Sequence, residues 1–370
     1  PWAHADATHA MPGPRIDLDV ELAAWFDRWL RGRGEHSDGC DVFVRASTRP
    51  QPDLDLHEGW WVRLPSRPPV TAHDVALPGP RELPVLADVG TTAWIDCAGH
   101  LPWGLSGDQR IDDARSLTWD TTPPSAPVVG QPRARLRLMV DAPLASLSVK
   151  LCDVFPDGTS ALVARGSLDL AFRDGVHGSP RPLVPGEPFD VEVELDACAY
   201  AWSGDNRLRV SIAGADWPNT IAPPAPVTVT VLDGDLTLPL LEGDFPTPSF
   251  VPGADHSSES GEGIGWEIRH DILNRVTTAA TRTDTSYATP YDGTARELYV
   301  GEVTVDTRSF DQAAHAATTY ELTWPGVAIE LRSVMDVEVT AAGYDVSIET
   351  IATRDGHEVS RRTWHEVIAR

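Results

Sequence analysis

The chain has 370 residues, a formal net charge of −25 and a pI of about 4.7. That length predicts two or three domains and a sizeable core. Its acidity excludes roles that need attraction to nucleic-acid phosphates or anionic lipid, and no apolar run reaches the ~18 residues that would span a bilayer. Lys150 is the sole lysine. Cys40, Cys97, Cys152 and Cys198 are scattered without C-x-x-C spacing, which speaks against a zinc site or a disulfide framework. They read as four buried thiols, and a reducing, cytoplasmic setting is expected.

The first predicted element is a helix in "DLDVELAAWFDRWLRGRG". Leu18, Leu22, Trp25, Phe26, Trp29 and Leu30 form one apolar stripe at helical spacing. Asp17, Asp19 and Glu21 stand at its start, Arg28 and Arg31 in the last turn, and Gly32 can end it. After Gly39 the period becomes two. "RARLRLMV" separates Arg133, Arg135 and Arg137 from Ala134, Leu136, Leu138 and Val140. "FDVEVELD" and "NRLRVSIA" alternate likewise, and all three read as antiparallel strands with one wet face. "VFPDGTSA" supplies a Pro-Asp-Gly hairpin turn. Residues 40–245 therefore read as one β-sandwich of jelly-roll type, 246–264 as a linker rich in Pro, Ser and Gly, and 265–370 as a small antiparallel β domain with a tight "RDGH" turn.

Motifs of chemistry are few. No G-x-S-x-G elbow and no phosphate-binding glycine loop occurs. His4, Asp6 and His9 in "HADATH" match no metal-ligand spacing, so neither a metal nor another cofactor is expected.

"PWAH", a short loop, "AAWFDRWLRG" and then "CDVFVRAS" resemble the end of the catalytic domain in the cocaine esterase and Xaa-Pro dipeptidyl peptidase family of α/β-hydrolases. Members carry a G-P-W-x-H loop whose His is the triad base, followed by a helix ending in a similar run. The resemblance continues in order through "DQRIDDARSLTWDT" (108–121), "VKLCDVFPDGTSALVARGSLDLAFRDG" (149–175) and "PLVPGEPFDVEVELDACAYAWSGDNRLRVSIAGADWPN" (182–219). It implies that residues 1–39 are the helical end of an α/β-hydrolase domain and that 40–245 are the jelly roll. It further implies that His4 is the triad base. Since the triad order is Ser, acid, His, the nucleophile and acid would lie upstream, in a missing N-terminal core, and this chain alone would be inactive. The substrate would be a small ester or peptide. The resemblance also implies that "TTAWIDCAGHLPWG" (91–104) matches a stretch whose hydrophobic pair reaches over the family's active site, with Ala93, Trp94 and Ile95 as its candidates.

Other readings stay open from the residues themselves. His4 also reads as a solvated loop histidine, and Trp94 as a core ring, because "TAWIDC" alternates. Thirteen tryptophans also suit a carbohydrate-binding module. Exposed strand edges in 265–370 would suit subunit contact in a homo-oligomer.

Overall fold

The structure, a computed structural model, describes residues 2, 7–34, 39–51, 54–93, 106–175, 179–254 and 264–369. It is mainly β, and the chain forms two compact units.

Helix α1 (Leu18–Arg31) forms where its periodicity and caps place it. The Asp17 carboxylate accepts from the Val20 N–H at 3.3 Å, and Gly32 closes the helix in the left-handed region at φ 65° with its N–H donating to Arg28 O. None of its residues is buried: Trp25, Phe26, Trp29 and Leu30 remain 49–77% exposed. The stripe thus leaves a large exposed apolar surface, of the kind that favours association.

The first unit comprises residues 1–83, 92–213 and 228–259. Its larger sheet contains β1 (Cys40–Ala46), β2 (Gly59–Leu64), β3 (Val70–Ala76), β4 (Arg81–Pro84), β6 (Val128–Gly130), β7 (Arg133–Val140), β10 (Phe189–Glu194), β11 (Cys198–Ala201) and β13 (Thr228–Leu241). The smaller sheet runs β5 (Leu117–Thr121), β12 (Arg207–Ala213), β8 (Ser146–Val154) and β9 (Ser160–Asp169) in that spatial order. Two distant alternating runs meet in β7 and β10. Arg133, Arg135 and Arg137 lie opposite Glu194, Glu192 and Asp190, with N–O distances of 2.8, 3.0 and 3.2 Å. These exposed pairs set register more than stability. The stabilising face is the other one, where Ala134, Leu136, Leu138 and Val140 are buried; Leu147, Val149, Leu151, Leu208, Val210 and Ile212 form the apolar core of the smaller sheet. The Pro-Asp-Gly hairpin joins β8 to β9. Phe155 N–H donates to Thr159 O, and Gly158 takes φ 88°.

β1 and β11 pair in parallel, with Arg45 opposite Tyr200, because the long chain between them returns by a crossover and not by a hairpin. Two expectations are corrected. The outer face of β12 is wet only at Arg207: Ser211 is buried, and Arg209 is covered at the short helix α2 (Arg110–Asp113), donating to Asp113 at 3.1 Å and Asp120 at 2.6 Å. The thiols are not uniformly buried. Cys152 is, but Cys198 is half-buried and Cys40, at the first position of β1, is exposed; Cys97 lies outside the described residues.

The second unit comprises residues 84–91, 214–227 and 260–370. Its seven strands form a meander in chain order: β14 (Ile264–Asp271), β15 (Val276–Thr289), β16 (Gly293–Asp306), β17 (Gln312–Trp324), β18 (Val327–Thr340), β19 (Gly343–Arg354) and β20 (His357–Ala369). The "RDGH" turn has both central residues at positive φ, Asp355 at 52° and Gly356 at 77°, as a two-residue hairpin loop requires. Two segments from earlier in the chain join this sheet through side chains. Gln312 accepts from the Ala222 N–H and donates to its carbonyl, at 2.9 and 3.1 Å, and Thr277 Oγ1 donates to buried Asp88 at 2.7 Å.

Candidate functional site

A cavity of 930 Å³ opens in the first unit. β1, β9 and β11 form its walls through Phe43, Arg45, Arg165, Cys198 and Tyr200. The segment after the "PWAH" loop is tied down beside it. Gly13 N–H donates to Asp55 O, His57 N–H to Gly13 O, and Asp17 N–H to Val251 O. Trp2 is anchored on the cavity by its ring: it lies 6.0 Å from Trp61, and its Nε1 donates to Pro14 O at 2.5 Å. Trp61 also meets Phe43 at 5.3 Å and Phe250 at 4.7 Å, all tilted or edge-on. Such rings give the wall apolar area and a fixed shape.

The titratable groups of the cavity suit binding better than bond-making. Burial and the neighbouring Arg45 guanidinium hold His57 down at about 3, so its imidazole is neutral throughout the physiological range. Burial pushes the Cys198 thiol up to about 11, which leaves almost no thiolate at neutral pH. Arg45 spans the wall, donating to Val163 O at 3.3 Å with its guanidinium over the Tyr200 ring. Tyr200 in turn donates to buried Asp153 at 2.8 Å, which also accepts from Ser47 Oγ at 2.5 Å and Asn206 Nδ2 at 2.8 Å. Three donors satisfy this carboxylate, so it stiffens the wall from behind.

His57 has a measurable consequence. The unfolded chain protonates it below about pH 6.5 and the native protein does not, so native stability falls as pH drops through that value toward 3. The loss amounts to about 2 kcal/mol by about pH 5. His57→Leu should flatten the acid limb of urea-unfolding stability by that amount, and an unchanged pH profile would refute the burial argument.

Of the residues expected to form the site, His4, Trp94 and Ile95 lie outside the described residues, as does Asp6. His9 is exposed. Ala93 is buried, and its carbonyl accepts from Arg165 on the cavity wall. The two ends of the 94–105 stretch are clamped together there: Gly107 N–H donates to Thr92 O at 2.8 Å, and Gln109 Nε2 donates to Gly107 O at 2.8 Å. Beneath the clamp lies a cluster that sequence reasoning missed. Lys150 Nζ donates to Asp112 at 2.9 Å and to Gln109 at 3.0 Å, and Thr92 Oγ1 donates to Asp112 at 2.6 Å. The signal was available, since a chain with a single lysine places it inside a strand. Among the described residues no group of three His, Cys, Asp or Glu side chains is placed to hold a metal ion, and no helix is long and apolar enough to cross a membrane.

Fold and cavity together define a β-sandwich that walls a pocket. Residues 57–257 match the family described as the X-Pro dipeptidyl-peptidase C-terminal non-catalytic domain. A protein of Mycobacterium bovis named as a serine esterase is 26% identical over 257 residues, which cover 58% of this chain and 40% of that protein. A Xaa-Pro dipeptidyl-peptidase of Rhodopirellula baltica is 29% identical over 141 residues, covering 35% and 22% of the two chains. The crystal structure of an aminopeptidase from a marine-sediment Thaumarchaeota archaeon shares the fold, at TM-score 0.52 and 17% identity over 65% of this chain and 48% of that one. The chain belongs to the X-Pro dipeptidyl-peptidase C-terminal domain family, found in hydrolases of the cocaine esterase and Xaa-Pro dipeptidyl peptidase type. It matches 40% of the length of the mycobacterial relative.

Proposed function

We propose that this chain is the C-terminal part of a serine hydrolase acting on small esters or Xaa-Pro peptides, and that His4 is its triad base. The observation that carries the reading is Trp2, its ring tilted against Trp61 at 6.0 Å and hydrogen-bonded to Pro14 at the edge of the 930 Å³ cavity, two residues before His4. A triad base must hold its imidazole in one orientation, and a loop anchored by a large ring supplies that constraint. In the longer protein His4 takes the proton of an upstream serine during attack on the acyl carbon and returns it to the leaving group. The sandwich contributes apolar wall that orients the substrate and excludes water. Ala93, Trp94 and Ile95 are the residues assigned to extend that wall, and Thr92 and Gly107, which flank the stretch, are hydrogen-bonded to each other.

The exposed α1 stripe supports the same reading, since Trp25, Phe26 and Leu30 present apolar surface that an upstream hydrolase core would cover. A sugar-binding module would instead need exposed, coplanar rings. The Trp2, Phe43, Trp61 and Phe250 rings are inclined at 49–63°.

The test is turnover of p-nitrophenyl esters and of a Xaa-Pro anilide by this chain and by the protein extended upstream. The extended protein should hydrolyse at least one of them and this chain neither. Turnover by residues 1–370 alone, abolished by His4→Ala, would overturn the upstream assignment of nucleophile and acid.

A further inference from the structure

We propose that β20 is the contact strand of a two-fold dimer, in which two copies of this chain join their meander sheets edge to edge around Trp364. Every residue of β20 is exposed, and its outer edge pairs with no strand among the described residues, so it offers a row of free N–H and C=O groups. Such an edge accepts any strand in principle. What selects a second copy is the pattern of charge along it.

β20 carries five charged or ionisable side chains between Glu358 and Glu366. Three are satisfied within the sheet: Arg361 binds Glu349 at 2.6 Å and Glu358 at 2.9 Å, and His365 binds Asp345 at 2.8 Å. Arg362 and Glu366 make no ion pair among the described residues. They stand two positions to either side of Trp364, on its face of the sheet.

A two-fold axis normal to a sheet keeps every side chain on its own face. Each residue must then lie opposite one an even number of positions away, so the axis passes through a residue. Centring it on Arg362 or on Glu366 sets like charges against each other. Centring it on Thr363 places Arg361 opposite His365, and centring it on His365 places Glu366 opposite Trp364. Only the register centred on Trp364 pairs both free charges, Arg362 with Glu366 of the second copy and the reverse. It also sets the two indole rings side by side on the axis. The strand's own irregularity agrees. Ala352 pairs with Ser360 but Thr353 with Glu358, so Val359 is a bulge. The regular stretch between that bulge and the strand end is 360–369, and Trp364 lies within half a residue of its midpoint.

Light scattering and sedimentation equilibrium on the whole chain test this. The expected species is a dimer of the 40.1 kDa chain at micromolar and higher concentration. Arg362→Glu and Glu366→Arg should each weaken dimerisation by about tenfold or more, because each places two like-charge pairs across the axis. The double variant R362E/E366R should restore it. All these side chains are exposed, and an unchanged melting temperature confirms that the fold survives. A monomeric wild type overturns the proposal. So does a dimer that both single variants leave intact, which would move the contact elsewhere, for instance to α1. Failure of the double variant to recover would also overturn it. The outcome is independent of hydrolase activity.

Discussion

His4→Ala in the upstream-extended hydrolase is expected to lower kcat by about 10⁴-fold with the melting temperature unchanged. The magnitude follows from the role assigned. Without the imidazole, the serine hydroxyl has no acceptor for its proton and the leaving group no donor, and only substrate binding and the oxyanion site remain. KM should move little, since a triad base acts on the reacting atoms and not on the rest of the substrate. A neighbouring prediction separates base from anchor. Trp61→Ala removes the ring that holds Trp2 at 6.0 Å but leaves His4 itself in place. It should lower kcat by a smaller factor, and Trp61→Phe should recover most of it. Near-normal kcat in the His4→Ala enzyme would remove His4 from the mechanism.

The second large effect is on stability. Lys150 and Asp112 form an ion pair with side chains only 4% and 1% exposed. Taking two charges out of water is costly, and the pair returns that cost only while Gln109 and Thr92 complete the hydrogen bonding. Removing one member leaves the other charge buried without its ion-pair partner. Lys150→Met or Asp112→Asn should therefore each destabilise the sandwich by about 3–5 kcal/mol. In a unit of this size that corresponds to roughly 10 °C in Tm. The double variant should lose less than the sum of the single losses, because no unpaired charge is left. Thermal unfolding of the four proteins checks this. Additive losses, or a Lys150→Met protein that melts with wild type, would show that the pair is not coupled. Because Asp112 and Gln109 also hold Thr92, the single variants should loosen the base of the 94–105 stretch. In the extended enzyme they should then raise KM for bulky esters at temperatures where the protein remains folded.

Much of this molecule was legible in its sequence, for a common reason. α1, the Pro-Asp-Gly and Asp-Gly turns, and the alternation of β7 and β10 depend on residues within a few positions of one another. Capping bonds, helical spacing and turn dihedrals are local, so Asp17, Gly32, Gly158 and Gly356 announced them. The facing Arg and acidic rows of β7 and β10 were also visible as patterns, although nothing in either run named the other as its partner. What tertiary structure alone decided is set by pairings far apart in the chain. The parallel match of β1 with β11 joins Arg45 to Tyr200. The cover that buries Lys150 and Ser211 comes from the segment around Asp112, which alternation in β12 could not report, because periodicity records which side chains share a face and not what lies over it. The cavity has the same origin. Trp2, His57, Arg165 and Cys198 become neighbours only when three strands and the N-terminal segment close around them, and desolvation there, not any motif, holds His57 neutral and Cys198 protonated.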